Sequence, residues 1–253
     1  MDFVDINQVL IYPVALAELA VLIRLWLLRL LRKYVWFAGY LAAAFLQGVL
    51  FSVLRLGPAD ARYAKVWIAT ISVIWVLQIL AAWELYRRVC EHYRNFRVLG
   101  KRLLAIAALA GMLLCALTVR LDLNHIHWKW PAYWGMVLTA RCLAFSLVAF
   151  LVTAALFFVR FHVPIRQNVL VHGWLIALFF AVKAASDLAY ILRWNPRIAA
   201  TVFMVAQLLL LLGWIVLLSK RGEIVDVWPE ATEEEYAAEQ ARTARLIDIA
   251  RKL

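Results

Sequence analysis

Long apolar runs separated by short polar connections dominate the pattern of this chain. A helix that crosses the roughly 30 Å hydrocarbon core of a bilayer needs about 20 apolar residues. Windows of this kind lie at 8–28, 34–54, 66–86, 103–121, 133–159, 169–192 and 198–219. A segment in lipid must satisfy its backbone hydrogen bonds internally, and these runs are far too long for barrel strands. The pattern therefore predicts an all-α fold, in which residues 1–219 form a bundle of seven transmembrane helices.

The composition agrees with a membrane protein and excludes a water-soluble domain. Residues of the hydrophobic class make up 66% of the chain, against roughly 45–50% in soluble domains. The first window follows no basic segment and has no small-residue cleavage site, so it is expected to be a retained helix rather than a removable signal.

The connections carry an unequal number of Lys and Arg residues. Those after the first, third, fifth and seventh windows hold 13, and those on the other side hold 7. Because cytoplasmic connections are the richer in basic residues, the N-terminus is predicted outside and the C-terminus inside, in the plasma (inner) membrane. The net charge of +11 is then explained by contacts with anionic headgroups, and a nucleic-acid partner is not expected.

Two polar segments are expected on the inner side. The strongly basic 87–102 connection is interpreted as a headgroup-contacting loop, with docking of an acidic cytoplasmic protein as the alternative. Residues 220–253 form a separate cytoplasmic tail, in which Thr232 and Glu235 match a helix capping box and predict an amphipathic helix at about 232–253. This helix lies against the inner loops or docks onto a membrane or cytoplasmic protein partner.

Charged residues inside the apolar windows are the candidates for chemistry, and their depth decides their cost. Arg24 and Glu84 lie near the inner ends, where Arg24 can snorkel and Glu84 can reach headgroup water or a neighbouring arginine. Arg141 and Lys183 lie roughly 12–14 Å inside the outer ends. Asp187 lies one turn closer to the outer surface than Lys183, on the same helix face, so it can pair with it.

Glu18 is the deepest acidic residue. It lies near the midplane, one turn after Pro13, and must be protonated, paired or in a wet cavity. If the first and sixth helices are neighbours, Glu18 and Lys183 come within about one turn in depth. We therefore predict a polar outer-half cluster, which is either a structural ion-pair group or a small-ligand site. Its members are Glu18, Arg141, Lys183 and Asp187, with Gln47, Gln78 and Tyr190 as rim groups.

Other residues give weaker signals. Small-xxx-small pairs such as Gly39 with Ala43, Ala44 with Gly48 and Ala107 with Gly111 indicate close helix packing, within one bundle or in a dimer. The outer connection holds His125 and His127 near Asp122, a weak metal candidate because further ligands are missing. Cys90, Cys115 and Cys142 show no CxxC and no disulfide-like spacing, so no disulfide is expected.

The motifs give little information on function. No nucleophile, zinc-protease or paired-carboxylate constellation is present, so no enzyme is expected, and no cofactor is implied. A receptor-like sensor would bind a small ligand in the outer-half pocket and signal through the basic loops and the tail helix. The alternatives are a structural or accessory subunit of a larger membrane complex and a small-solute transporter. The transporter is less favoured because Pro13 has no counterpart in the second half of the chain.

The predicted orientation can be tested on Cys90, which belongs to the 87–102 connection. In intact cells Cys90 is expected to resist a membrane-impermeant thiol reagent, because the inner side is shielded by the bilayer. Labelling after permeabilisation is the positive control. Ready labelling of intact cells would contradict the N-out, C-in arrangement.

Overall fold

A computed structural model describes most of the chain. The described residues are 3–54, 61–89, 96–122, 131–160, 165–192, 195–224 and, further on, 237–238, 240–242 and 244–245. No β-strand forms among these residues, so the predicted all-α fold is confirmed. Most of the predicted tail helix, 232–253, lies outside them.

The apolar windows are helical. The helices are α1 (Phe3–Leu27), α2 (Val35–Val53), α3 (Ala61–Val89), α4 (Phe96–Asp122), α5 (Pro131–Arg160), α6 (Gln167–Ile191) and α7 (Pro196–Leu217), followed by a 3-10 helix at Arg221–Glu223. Six of them are long and apolar enough to cross a membrane, all except α4. In α4 the described apolar stretch is the shorter Ala105–Thr118. The multi-pass helical protein is thus confirmed, while the seventh span and the orientation stay predictions.

The order of packing determines which polar residues can meet. Helix α1 packs against α2 and α7, α6 packs against α5 and α7, and α4 packs mainly against α5. Helix α3 contacts α2, α5 and α6. Side chains such as Val21, Phe37 and Phe150 fill the interior, whereas Val216 and Leu117 are exposed on the outside. An apolar exterior suits lipid, which replaces water around a membrane protein. Because α1 and α6 both pack against α7, this helix lies between them.

Glycines of the small-residue motifs lie at helix contacts inside the bundle. A Cβ atom at Gly111 would overlap Ser146 of α5, so only glycine allows α4 and α5 to cross here. A Cβ at Gly39 would be 3.4 Å from Leu77 of α3, and one at Gly48 would be 3.8 Å from Ala15 of α1. The predicted close packing within one bundle is present at all three glycines.

A disulfide joins Cys115 of α4 to Cys142 of α5. The expectation that no disulfide forms is therefore wrong. The two cysteines are 27 residues apart in sequence, yet the close approach of the helices brings their Cα atoms to 5.2 Å. Sequence spacing could not indicate this pair because it depends on the relative rotation of two helices.

The disulfide predicts how many thiols react in the denatured protein and how much stability is lost when the bridge is removed. Without reductant, the denatured protein is expected to show one reactive thiol, that of Cys90. Cys142→Ser should lower the free energy of unfolding by about 2–4 kcal/mol, because a bridge restricts the unfolded chain. Thiol titration and thermal unfolding in detergent measure both effects, and Cys90→Ser serves as the control that retains the bridge. Three reactive thiols in the unreduced wild type would contradict this bridge.

Candidate functional site

Among the described residues, three groups of polar side chains lie between the helices. The first is a charge triad of Arg141, which is buried, and Lys183 and Asp187, which are half-buried. Arg141 on α5 is only 1% exposed. Both Arg141 and Lys183 attract the Asp187 carboxylate on α6. The Lys183 Nζ also lies 5.8 Å from the centroid of the Phe203 ring on α7, within the range of a cation–π contact. Charges inside a helix bundle need such compensation. The triad links α5, α6 and α7.

The second group is the Glu18 cluster, made of Glu18, Tyr40, Gln78 and Gln207. The Gln207 Nε2 of α7 donates a hydrogen bond to the Glu18 Oε1 of α1 at 3.2 Å. Tyr40 of α2 lies close to Gln78 of α3 and interacts electrostatically with Glu18. Four helices thus contribute one polar residue each to this cluster.

The predicted four-residue cluster is divided in the structure. The structure brings Arg141, Lys183 and Asp187 together. Glu18 instead faces Gln207 on α7, the helix that lies between α1 and α6. Among the predicted rim groups, Gln78 joins the Glu18 cluster, and Gln47 donates to Thr70 Oγ1 at 2.6 Å. The side chain of Tyr190 lies outside the described residues.

The third group is the Glu223 anchor, made of Lys33, Tyr34, Asn168 and Glu223. The carboxylate accepts hydrogen bonds from Lys33 Nζ at 2.9 Å, Tyr34 Oη at 2.8 Å and Asn168 Nδ2 at 3.1 Å. Arg166 Nη1 lies 3.9 Å from the same carboxylate. This anchor joins the α1–α2 turn, the start of α6 and the 3-10 helix after α7.

Local backbone geometry brings these elements together. Arg29 has a φ of 58°, a left-handed conformation typical of the residue after a helix C-terminus, and the tight turn that follows presents Lys33 and Tyr34. The Asn168 amide is also bonded to the Ser219 backbone, through Nδ2 to the carbonyl at 2.7 Å and through Oδ1 from the amide at 3.2 Å. A Cβ at Gly222 would overlap the Asn168 side chain. The first turn of the predicted tail therefore packs against the bundle.

Sequence reasoning missed the Glu223 anchor, because Glu223 stands in a charged segment typical of a solvated tail. Burial disfavours the ionised carboxylate, but the hydrogen bonds from Lys33, Asn168 and Tyr34 outweigh it and lower the pKa of Glu223 below its ordinary 4.5. Burial and the neighbouring Glu223 charge raise the pKa of Tyr34 far above its usual range. The anchor thus consists of a carboxylate and a neutral phenol at neutral pH.

Two further polar residues support this end of the bundle. Glu84 of α3 accepts hydrogen bonds from the amides of Val35, Trp36 and Phe37 at 3.0, 3.2 and 3.4 Å. It therefore satisfies the free N–H groups at the start of α2, a role that the depth argument did not indicate. The Arg88 guanidinium donates to the Lys33 carbonyl and lies 4.8 Å from the centroid of the Tyr34 ring.

His172 of α6 lies beside the anchor and is completely enclosed. Its Nδ1 accepts a hydrogen bond from the Trp214 Nε1 of α7 at 3.0 Å, which places the ring proton of a neutral imidazole on Nε2. The Phe37 ring packs edge-on against it at 4.3 Å between centroids. His172 therefore joins α6 to α7 and α2.

The weak metal candidate gains no support. No group of three or more possible metal ligands occurs among the described residues. His125 and His127 lie outside them, and Asp122 is the last residue of α4, with a side chain that is not described.

The lowered pKa of Glu223 predicts an acid-dependent loss of stability. The contribution of a carboxylate with a depressed pKa is complete above its unfolded value, near 4.5, and disappears as the pH falls through the folded value. Wild-type protein is expected to lose thermal stability below about pH 4.5, and Glu223→Gln should lose less over the same range. Thermal unfolding in detergent between neutral and acidic pH measures the difference.

A double-mutant cycle gives the control. Lys33→Met, Glu223→Gln and the double variant should show a coupling of at least about 0.5 kcal/mol, as groups in one hydrogen-bond network do. Additive effects at neutral pH would contradict the direct contact between Lys33 and Glu223.

Comparison with known proteins does not connect these groups with an established activity. No protein-family model, no curated protein sequence and no solved structure matches the chain.

Proposed function

We propose that the protein is a receptor-like sensor that binds a small anionic ligand at the charge triad and transmits the change to the Glu223 anchor and the tail. In this proposal all seven helices cross the plasma membrane, the N-terminus is outside, and the triad lies in the outer half. The basic inner connections contact anionic headgroups and, with the tail, face the partner that receives the signal.

The observation that carries this proposal is the double role of α6. One end of the helix bears Lys183 and Asp187 of the triad, and the other bears Asn168 of the anchor and His172. The fifteen residue-to-residue steps from Asn168 to Lys183 span about 22 Å at 1.5 Å per step. A continuous helix is stiff, so a displacement at one end of α6 is expected to reach the other.

The cationic side chains of the triad support an anionic ligand. The triad has two cationic side chains and one carboxylate, and Lys183 and Asp187 are only half-buried. An anionic group could therefore bind beside Arg141 and Lys183, attracted by their positive charges. Binding in turn would change the attraction between Lys183 and Asp187 and so act directly on α6.

The Glu223 anchor supports the proposed transmission of the change from α6 to the tail. Asn168 holds the chain at Ser219 and Glu223 through hydrogen bonds, and the tail follows directly after this point. Helix shifts of about 1–2 Å are typical of signalling transitions. A shift of that size exceeds the tolerance of a hydrogen bond, so it would break or re-form the anchor and change how the tail leaves the bundle.

Native mass spectrometry of the protein purified in mild detergent tests this function. Wild type is expected to retain a small anionic molecule, and Lys183→Met should lose it because the positive charge of Lys183 is gone. Lys65→Met, which removes an exposed lysine of α3, is the matched control and should keep it. Thermal unfolding of the three proteins shows that each is folded.

The same measurement separates the sensor from the accessory subunit. A stoichiometric membrane-protein partner without a small molecule would favour the accessory subunit. An adduct that persists in Lys183→Met would contradict binding at the triad.

A further inference from the structure

Glu18 is the most buried acidic side chain among the described residues, and its hydrogen-bond partner is a neutral amide. Glu18 is 4% exposed, and its carboxylate accepts a hydrogen bond from the Gln207 amide at 3.2 Å. Among the described residues, no cationic side chain acts on it. A carboxylate buried in an apolar interior without a positive partner is expensive.

The neighbouring helices offer no compensating charge anywhere along their apolar spans. Residues 35–53 of α2 and 198–217 of α7, the two helices on which α1 packs, contain no Lys, Arg, His, Asp or Glu. On α1 itself, Arg24 lies about 9 Å further along the axis and donates to the Leu218 carbonyl at 3.2 Å. The one titratable group facing Glu18 from these helices is the Tyr40 hydroxyl.

A small cavity adjoins the cluster on the side of Tyr40. Tyr40 and Gln78 line it together with the rings of Phe37, Phe179, Phe180 and Trp214. Its volume is about 10 Å³ and its walls are almost entirely apolar, so the cavity itself adds no polar partner for Glu18. Gln78 is only 6% exposed, and its Oε1 has no hydrogen-bond partner. An unsatisfied buried amide oxygen is energetically costly, so this oxygen is available to a donor or a cation.

We propose that the Glu18 cluster is a binding site for a small monovalent cation, a proton or Na⁺, that neutralises the Glu18 carboxylate. The carboxylate provides the charge, and the Tyr40 hydroxyl and the Gln78 Oε1 are the other oxygens of the cluster. Oxygen donors of this kind suit hard cations. The site is distinct from the charge triad and independent of the proposed sensor function.

Infrared spectroscopy of the purified full-length protein tests the site. Wild type and Glu18→Gln are compared at neutral pH in choline chloride and in sodium chloride. In choline chloride we expect the C=O stretch of a protonated carboxyl in wild type and its loss in Glu18→Gln. Glu223→Gln is the control and should leave this band unchanged, because Glu223 is ionised beside Lys33.

The two salts distinguish the two cations. A band that persists in sodium chloride assigns the proton. A band that disappears in sodium chloride, or a melting temperature that rises with Na⁺ in wild type and not in Glu18→Gln, assigns Na⁺. The absence of a Glu18-dependent band in both salts, with no effect of Na⁺ on the melting temperature, would overturn the proposal.

A second variant retains the Glu18 carboxyl and tests the contribution of the Gln78 amide. Gln78→Leu removes the unsatisfied oxygen and should shift the frequency of the carboxyl band or weaken the Na⁺ effect at least several-fold. An unchanged band and an unchanged Na⁺ effect would overturn the inclusion of Gln78 in the site.

Discussion

Lipid offers no hydrogen bonds and no counter-charges, and this constraint explains where the polar side chains of the protein lie. Arg141, Glu18 and His172 are all turned into the bundle, and each has a partner on another helix or a polar environment there. The apolar exterior carries Leu and Val instead. In a water-soluble bundle the same charged residues would face the solvent and would not determine which helices are in contact. Here they determine the contacts between helices.

The polar interior is divided into groups of different electrostatic character. The charge triad contains full charges of both signs and joins α5, α6 and α7. The Glu18 cluster combines one acid with neutral amide and phenol groups from α1, α2, α3 and α7. Helix α7 lies between them, and neither Arg141 nor Lys183 acts on the Glu18 carboxylate.

The end of the bundle at Glu223 is closed by side chains that serve backbone groups of other elements. Glu84 caps α2 from α3, Arg88 binds the carbonyl of Lys33, and Asn168 binds the backbone at Ser219. Each contact crosses between elements distant in sequence. Because Glu223 accepts three hydrogen bonds at once, the chain after α7 is fixed to α6 and to the α1–α2 turn. The direction in which the tail begins is therefore a property of the bundle.

The sequence by itself determined the helices and the residues whose burial needs an explanation. Hydropathy is a local property, and the cost of a charge such as that of Glu18 follows from its depth in a window. Only the tertiary structure decided the partners. The Cys115–Cys142 disulfide, the pairing of Glu18 with Gln207 and the anchor at Glu223 depend on which helices are neighbours and how each is rotated about its axis. Rotations of this kind result from packing between whole helices, and no window along the chain encodes them.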